Sequence, residues 1–388
     1  MCDWMERTAQ KTIWTSCTHC LTAPPHSPSQ FPSPTTRNFP APHASSSATI
    51  VEIIASTASR WKCLKVDKSS FEALKESFPG PLTVLKDLNL RFNVDLLGAP
   101  VDLFLGCSHL RRLSIIRNSL WRRDSLLRMP WHQLTDLQLV ESDPALCHSI
   151  LLQCKNLMWA RITTSHWDTV DAYAPTTSLP SDVDAPNITL PFLKLLKIRF
   201  EDDDSGEGSN DDSDDDDFCL VGPFFTPLCL PALRALELRF TYNTSWPARE
   251  FTAFQKRSPK ITRISLENCR ITSQQLVSVL RRTPSLTAFS LDSCFNCIDN
   301  ESLQALSGEN HPRPLVPRLQ EIDWREIGRY YDPAVFEAAI TSRCSTDGTA
   351  PLDVAKLKKM TITKASFAPD PFDWLRTLVE HGLKLNII

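Results

Sequence analysis

Ten times along this chain of 388 residues, an apolar side chain is followed three and five positions later by two more. The triplets run Leu85-Leu88-Leu90, Leu110-Leu113-Ile115, Leu134-Leu137-Leu139, Leu157-Ala160-Ile162 and Leu193-Leu196-Ile198. They continue with Leu233-Leu236-Leu238, Ile261-Ile264-Leu266, Leu286-Phe289-Leu291, Leu319-Ile322-Trp324 and Leu357-Met360-Ile362. Their starts lie 23 to 40 residues apart, and five of the nine intervals fall between 23 and 28. The last four positions of each triplet alternate, which makes a short strand with apolar residues on one face and polar residues on the other. One such strand cannot bury its apolar face alone. Copies stacked side by side form a parallel sheet over a continuous apolar core. Each fully buried leucine contributes about 1.5–3 kcal/mol, so ten stacked units supply a large driving force.

The spacing matches leucine-rich repeats, whose units run about 20–29 residues. The return limbs read as helices. Asp143-Pro144, Asp332-Pro333 and Asp370-Pro371 each set a capping carboxylate before a proline suited to a first helical turn. Helical spacing follows them at Leu146, Ile150 and Leu151, at Val335, Phe336, Ala339 and Ile340, and at Trp374, Leu375, Leu378 and Val379. Thr272 or Ser273 caps a helix that buries Leu276, Val279 and Leu280, and Gly382 stops the last helix. A strand plus a helix in each unit gives the expected α/β fold: a leucine-rich-repeat solenoid, a horseshoe or arc with its parallel sheet on the concave side and helices on the convex side. The expected layout is a disordered Pro/Ser/Thr-rich tail over residues 1–48 and about ten irregular repeats over 49–388, with loop insertions at 165–190 and 201–217.

Composition narrows the class. With 42% hydrophobic and 22% charged residues the chain reads as soluble and folded. No apolar run approaches the ~20 residues of a membrane span, and the N-terminus has no secretory core. A cytoplasmic or nuclear protein is expected, with its thirteen scattered cysteines mostly free thiols. Residues 201–217 carry eleven acids and no base, and removing those charges from the net −3 leaves the remainder at +8. The run reads as a solvated loop, as a docking segment for a basic partner such as a histone tail, or as a target for an acid-directed kinase at Ser209 and Ser213.

Within residues 261–306 the pattern Ile264-x-Leu266-x-x-Cys269-x-Ile271-Thr272 leads to Leu276, Leu280, Pro284 and Leu286. The next unit runs Phe289-x-Leu291-x-x-Cys294, then Ile298-Asp299, Leu303 and Leu306. This resembles the cysteine-containing leucine-rich repeat common in the C-terminal part of F-box proteins. Cys269 and Cys294 match its cysteine, which sits in the turn after the strand; Cys297 does not. Arg60-Trp61, Pro130-Trp131-x-Gln133-Leu134-Thr135-x-Leu137, Leu151-x-Gln153-Cys154-x-Asn156-Leu157 and Leu378-Val379-x-x-Gly382-Leu383 are similar to phrases of fungal F-box proteins with degenerate repeats. The resemblance covers about residues 60–388. It implies recognition of a protein substrate for a ubiquitin ligase of the Skp1-type adaptor and cullin kind. Residues 1–59 hold no F-box of the Leu-Pro-opening form that would dock such an adaptor. The family has no catalytic residues to carry over.

Other chemistry is weak. The CxxC at Cys17-Thr18-His19-Cys20 lies in a proline-rich stretch, with Cys2, His26 and Cys63 at irregular spacing as further zinc ligands, and it reads as chance. Phosphate-binding glycine loops and the His-Glu-x-x-His motif are absent, and His109, His132, His148 and His166 read as surface or packing residues. No enzyme, cofactor or metal site is expected, and direct nucleic-acid binding is not expected. The functional expectation falls on the concave face, where residues between and just after the leucines point away from the core. These are Asn89, Arg91, Gln138, Arg161, Lys197, Arg199, Glu237, Arg239, Glu267, Asp292, Asp323 and Arg325. They mix both signs of charge and suit a polypeptide partner. The leading reading is F-box-like substrate recognition. The alternative is a nuclear acidic-tract repeat protein binding basic chromatin proteins.

Overall fold

The computed structural model describes residues 56–67, 80, 82–92, 104–117, 128–165, 188–201, 221–241, 244–307, 315–328, 330–344, 354–363 and 372–388. The N-terminal stretch 1–48 with Cys17 and Cys20, most of the 165–190 insertion, all of the acidic run beyond Glu201, and the Asp370-Pro371 cap lie outside them.

The strands are β1 (Cys63–Asp67), β2 (Asp87–Phe92), β3 (Arg112–Arg117), β4 (Asp136–Ser142), β5 (Trp159–Thr164), β6 (Ile188–Thr189), β7 (Leu195–Phe200), β8 (Leu228–Cys229), β9 (Ala235–Arg239), β10 (Arg263–Glu267), β11 (Ala288–Asp292), β12 (Glu321–Arg325), β13 (Lys359–Ile362) and β14 (Lys384–Ile387). Twelve of them form one sheet in chain order, skipping only β6 and β8. Every pairing is parallel, and the register stacks like on like. Leu88 lies beside Leu113, Leu113 beside Leu137, Leu196 beside Leu236, Leu236 beside Ile264 and Ile264 beside Phe289. The leading residue of each triplet, from Leu85 to Leu357, is also buried, at no more than 2% exposure. The fold is thus an α/β leucine-rich-repeat solenoid. It has one more strand at each end of the sheet than the ten triplets announce. In β1, Leu64 and Val66 continue the two columns beside Leu88 and Leu90; in β14, Leu385 and Ile387 continue them beside Met360 and Ile362.

A second register follows the strands along their entry edge. Each residue that precedes a strand, or opens β14, donates its backbone N–H to the carbonyl of its counterpart in the unit before. The chain of contacts runs Lys62, Lys86, Arg111, Thr135, Met158, Lys194, Arg234, Thr262, Thr287, Gln320, Lys358, Lys384, at 2.8–2.9 Å per bond. These bonds extend the sheet ladder into the turns and fix one residue per strand along a straight row.

Leaving the strands, three consecutive units use the left-handed region at Asn268 (φ 53°), Ser293 (φ 53°) and Glu326 (φ 49°). The reversal drops the next residue into the core: Cys269, Cys294 and Ile327, at 3%, 0% and 0% exposure. The cysteines therefore occupy the turn after the strand, as expected, and an isoleucine takes the same place one unit later.

The return limbs are helical over Pro144–Gln153, Ala248–Arg257, Ser273–Arg281, Asn300–Ser307, Pro333–Cys344 and Phe372–Glu380. Local chemistry starts and stops them. The Asp143 carboxylate accepts the Leu146 N–H at 3.0 Å. Thr272, rather than Ser273, caps its helix and forms a reciprocal capping box with Gln275. The Asp332 carboxylate accepts the Ala334 N–H at 2.8 Å, and Gly382 ends the last helix at φ +94°. One expectation needs correcting. Val379 is 45% exposed rather than packed. Before β4 the described part of the return limb holds a 3-10 turn, Trp131–Gln133.

The two intervals between Leu157 and Leu233, of 36 and 40 residues, hold an extra layer. In them β6 pairs with β8, and a helical turn Gly222–Phe225 follows the acidic segment. Phe200, Phe224, Phe225, Phe240, Trp246, Phe251 and Phe254 form one aromatic cluster there, with Phe200 stacked on Phe240 at 5.0 Å and Phe225 edge-on to Phe251 at 5.6 Å. The His148 ring bonds the Phe224 carbonyl at 3.1 Å, and burial holds the imidazole below its usual pKa. It is a packing residue.

Candidate functional site

Strand alternation sends the residues on either side of the core leucines to the opposite face of the sheet. Three rows result. The first, ahead of the leucines, runs Asp87, Arg112, Asp136, Trp159, Leu195, Ala235, Arg263, Ala288 and Glu321. The second holds Asn89, Gln138, Arg161, Lys197, Glu237 and Asp323; the third holds Arg91, Arg199, Arg239, Glu267, Asp292 and Arg325. The twelve residues singled out from the sequence therefore share one face.

Most of their charges are already paired. Arg161 reaches Asp136 at 3.5 Å, Lys197 reaches Glu237 at 2.9 Å, Arg199 reaches Glu201 at 3.6 Å and Arg239 reaches Glu267 at 2.9 Å. Arg325 grips Asp323 with two bonds of 2.9 Å. Arg112 forks onto Asp87, and Arg263 reaches Glu321 at 3.7 Å. The Asp323 and Asp87 forks raise the pKa values of Arg325 and Arg112. Partly exposed pairs like these contribute about 0–1 kcal/mol each to stability. Their larger consequence is at the surface: a cross-strand lattice of matched charges is less costly to cover than the same charges unmatched. The Asp292 carboxylate stands outside the lattice and accepts the Ser293 hydroxyl, at 3.2 Å, with no ion pair among the described residues. The Asn89 carboxamide oxygen and the Ser114 hydroxyl, neighbours in register, are enclosed with no hydrogen-bond partner among the described residues.

The sequence expectation covers only positions between and just after the leucines, and the first row lies ahead of them. It contributes what those positions lack. Trp159 is 39% exposed on the sheet face, and in register with it come Leu195 and then Ala235, both half-buried. Three apolar residues on adjacent strands thus lie between the ion pairs of β2–β4 and those of β10–β12. The period of two, continued one residue upstream of each core leucine, is the signal that finds them.

Other chemistry is thin. A groove between the helices Ala248–Arg257 and Ser273–Arg281 is lined by Trp246, Thr252, Gln274, Gln275 and Ser278, with no ionisable group. Among the described residues no cluster of His, Cys, Asp or Glu could hold a metal ion. Burial pushes Cys107 and Cys344 up to about 11 and Cys154 and Cys294 up to about 12, and raises Cys147, Cys269 and Cys297 as well. Thiols so held are poor nucleophiles. Iodoacetamide in native buffer is expected to modify exposed Cys63 and to leave these seven untouched until denaturant is added, as read by peptide mass spectrometry. Native labelling of Cys269 or Cys294 would contradict their place in the core.

No protein-family model matches the sequence, and no curated protein matches it. Among solved structures the chain is similar to the leucine-rich repeat-containing protein LegL7 from Legionella pneumophila, at 13% identity and a TM-score of 0.38, over 82% of this chain and 96% of that one. No described helix is long and apolar enough to cross a membrane.

Proposed function

We propose that this protein is an interaction module whose open sheet face grips a polypeptide, without catalysing a reaction on it. The observation that carries this reading is the Trp159–Leu195–Ala235 patch set among charges that already satisfy one another. An exposed tryptophan on a rigid strand, ringed by polar pairs, has the makeup of a binding hot spot. The resemblance to F-box proteins with leucine-rich repeats supports a finer version, in which the bound polypeptide is a substrate for ubiquitin ligation through a Skp1-type adaptor and cullin.

The test is comparative affinity purification of the full chain and of a Trp159→Ser/Arg161→Glu variant, read by quantitative mass spectrometry. The expected result is a partner enriched at least about tenfold on the parent over the variant, since a central tryptophan hot spot is worth about 2 kcal/mol or more. Identical partner sets would rule out the sheet face. Adaptor and cullin enriched equally on both chains would support the ligase version, because their docking is independent of this face.

A further inference from the structure

The strand-entry edge differs from the sheet face in its charge. Of its twelve laddered residues, seven are Lys or Arg and none is acidic. The turns that feed it repeat the bias: residues 107–110, 154–157, 190–193, 230–233 and 258–261 include no acid and add Lys155 and Lys260. Lys86, Lys194, Arg234 and Lys358 are exposed and make no ion pair among the described residues. The acids that directly follow the row, Asp87, Asp136 and Glu321, are paired on the sheet face with Arg112, Arg161 and Arg263. A row of like charges this close is a standing repulsion that a ligand of opposite sign relieves.

The row is not uniform. Cations at Lys62, Lys86 and Arg111 give way to Thr135 and Met158, and resume at Lys194 and Arg234. Beside this neutral stretch Phe192, in the turn entering β7, is 54% exposed, where the equivalent turns carry Asn156, Ala232 and Lys260. Each step along the edge is about 4.8 Å, so Lys86 to Arg234 spans about 24 Å, the length of about seven extended residues.

We infer that this edge docks an extended acidic polypeptide segment with one apolar residue at its middle. The carboxylates would face Lys86 and Arg111 on one side and Lys194 and Arg234 on the other, with the apolar side chain against Phe192 and Met158. A single-stranded nucleic acid fits less well. Such ligands take a charged groove and a succession of stacking rings, whereas this edge offers a single row of cations interrupted by neutral residues, and one exposed ring.

The experiment uses the full chain and fluorescence anisotropy. The probes are a labelled peptide of about eleven Glu and Asp residues with a central leucine, the same peptide with a central glycine, its lysine counterpart, and oligothymidylate of matched length. The expected result is binding of the leucine-centred acidic peptide, weakened at least about tenfold by Lys194→Glu/Arg234→Glu with the melting temperature unchanged. Phe192→Ser should remove the preference for leucine over glycine. Trp159→Ser should leave peptide binding unaltered, which separates this surface from the sheet-face reading. Absence of binding, indifference to the double substitution, or tighter binding of oligothymidylate or of the lysine peptide would overturn the inference.

Discussion

Leu236→Asp is expected to abolish the folded state, while Glu237→Lys, one residue along the same strand, leaves it standing. Leu236 is fully buried between Leu196 and Ile264 in one of the two apolar columns that run through the sheet. Substitution forfeits about 1.5–3 kcal/mol of apolar burial and adds an unpaired carboxyl to the interior, a further penalty of several kcal/mol even if the group takes up a proton. Single domains hold about 5–15 kcal/mol in total, so little or nothing remains. In a solenoid the damage also falls on both neighbours, because each unit is stabilised by the two it touches. Glu237 points the other way. It meets Lys197 at 2.9 Å with 30% of its side chain exposed, and losing that pair costs about 1 kcal/mol or less. Circular dichroism melts and the soluble fraction decide it. Equal damage from both substitutions, or none from either, would mean that the strand register is wrong.

That register was legible because a period of two is stated so often in the sequence. Ten triplets, each with its second and third residues in a strand and its first in the turn before it, leave few alternatives for the face that Leu88, Leu137 or Leu266 must occupy. The end strands were not legible for the opposite reason. Before β14 the leading position is Gly382, which breaks the triplet although Leu385 continues its column; before β1 it is Trp61, an aromatic where the other ten leaders are leucine or isoleucine, so Trp61-Leu64-Val66 fits the spacing without standing out. The aromatic layer around Phe200 and Phe225 was also invisible. It depends on β6 pairing with β8 across forty residues of sequence, and no local pattern encodes that pairing. The candidate site was legible by half. Charged residues announced themselves, but whether Arg161 or Lys197 is free or paired is set by the neighbour across the strand, and sequence spacing does not give it. Trp159 was passed over because an aromatic at the start of an apolar strand reads as core. Only the parity of its position, odd with respect to Ala160 and Ile162, sends it to the surface. The cationic edge escaped for a related reason: Lys86, Arg111, Lys194 and Arg234 are unexceptional one at a time, and become a row only when the ladder sets them side by side.

Arg343→Met is expected to cost about 3 kcal/mol, and Arg343→Lys no less, although lysine keeps the charge. Arg343 lies in the last turn of the helix Pro333–Cys344 and is 5% exposed. Its guanidinium donates from Nε to the Leu306 carbonyl at 3.0 Å, and from Nη2 to the carbonyls of Val316 at 3.1 Å and of Leu315. These acceptors close a helix end and a turn in which Val316, a β-branched residue, is held at φ 42°. Such a conformation costs about 1–2 kcal/mol and persists only where its surroundings impose it. Burial pushes the guanidinium down to about 10, so it stays charged at neutral pH. Each buried carbonyl left without a donor costs about 1–3 kcal/mol, and relief of the buried cation offsets part of that sum, which leaves the net loss given above. Lysine cannot reproduce a planar fork that reaches two segments, so its buried ammonium would keep the desolvation cost with fewer bonds. Arg257 supplies the internal control. It donates to Leu228, Phe225 and Thr226 in the same manner, from the last turn of its own helix, but it is only half-buried. Water can replace it, and Arg257→Met should cost about 1 kcal/mol or less. Urea denaturation of the three variants measures the contrast. Full stability in Arg343→Lys would show that charge alone is required there, and equal losses at the two arginines would show that burial is not what makes Arg343 costly to remove.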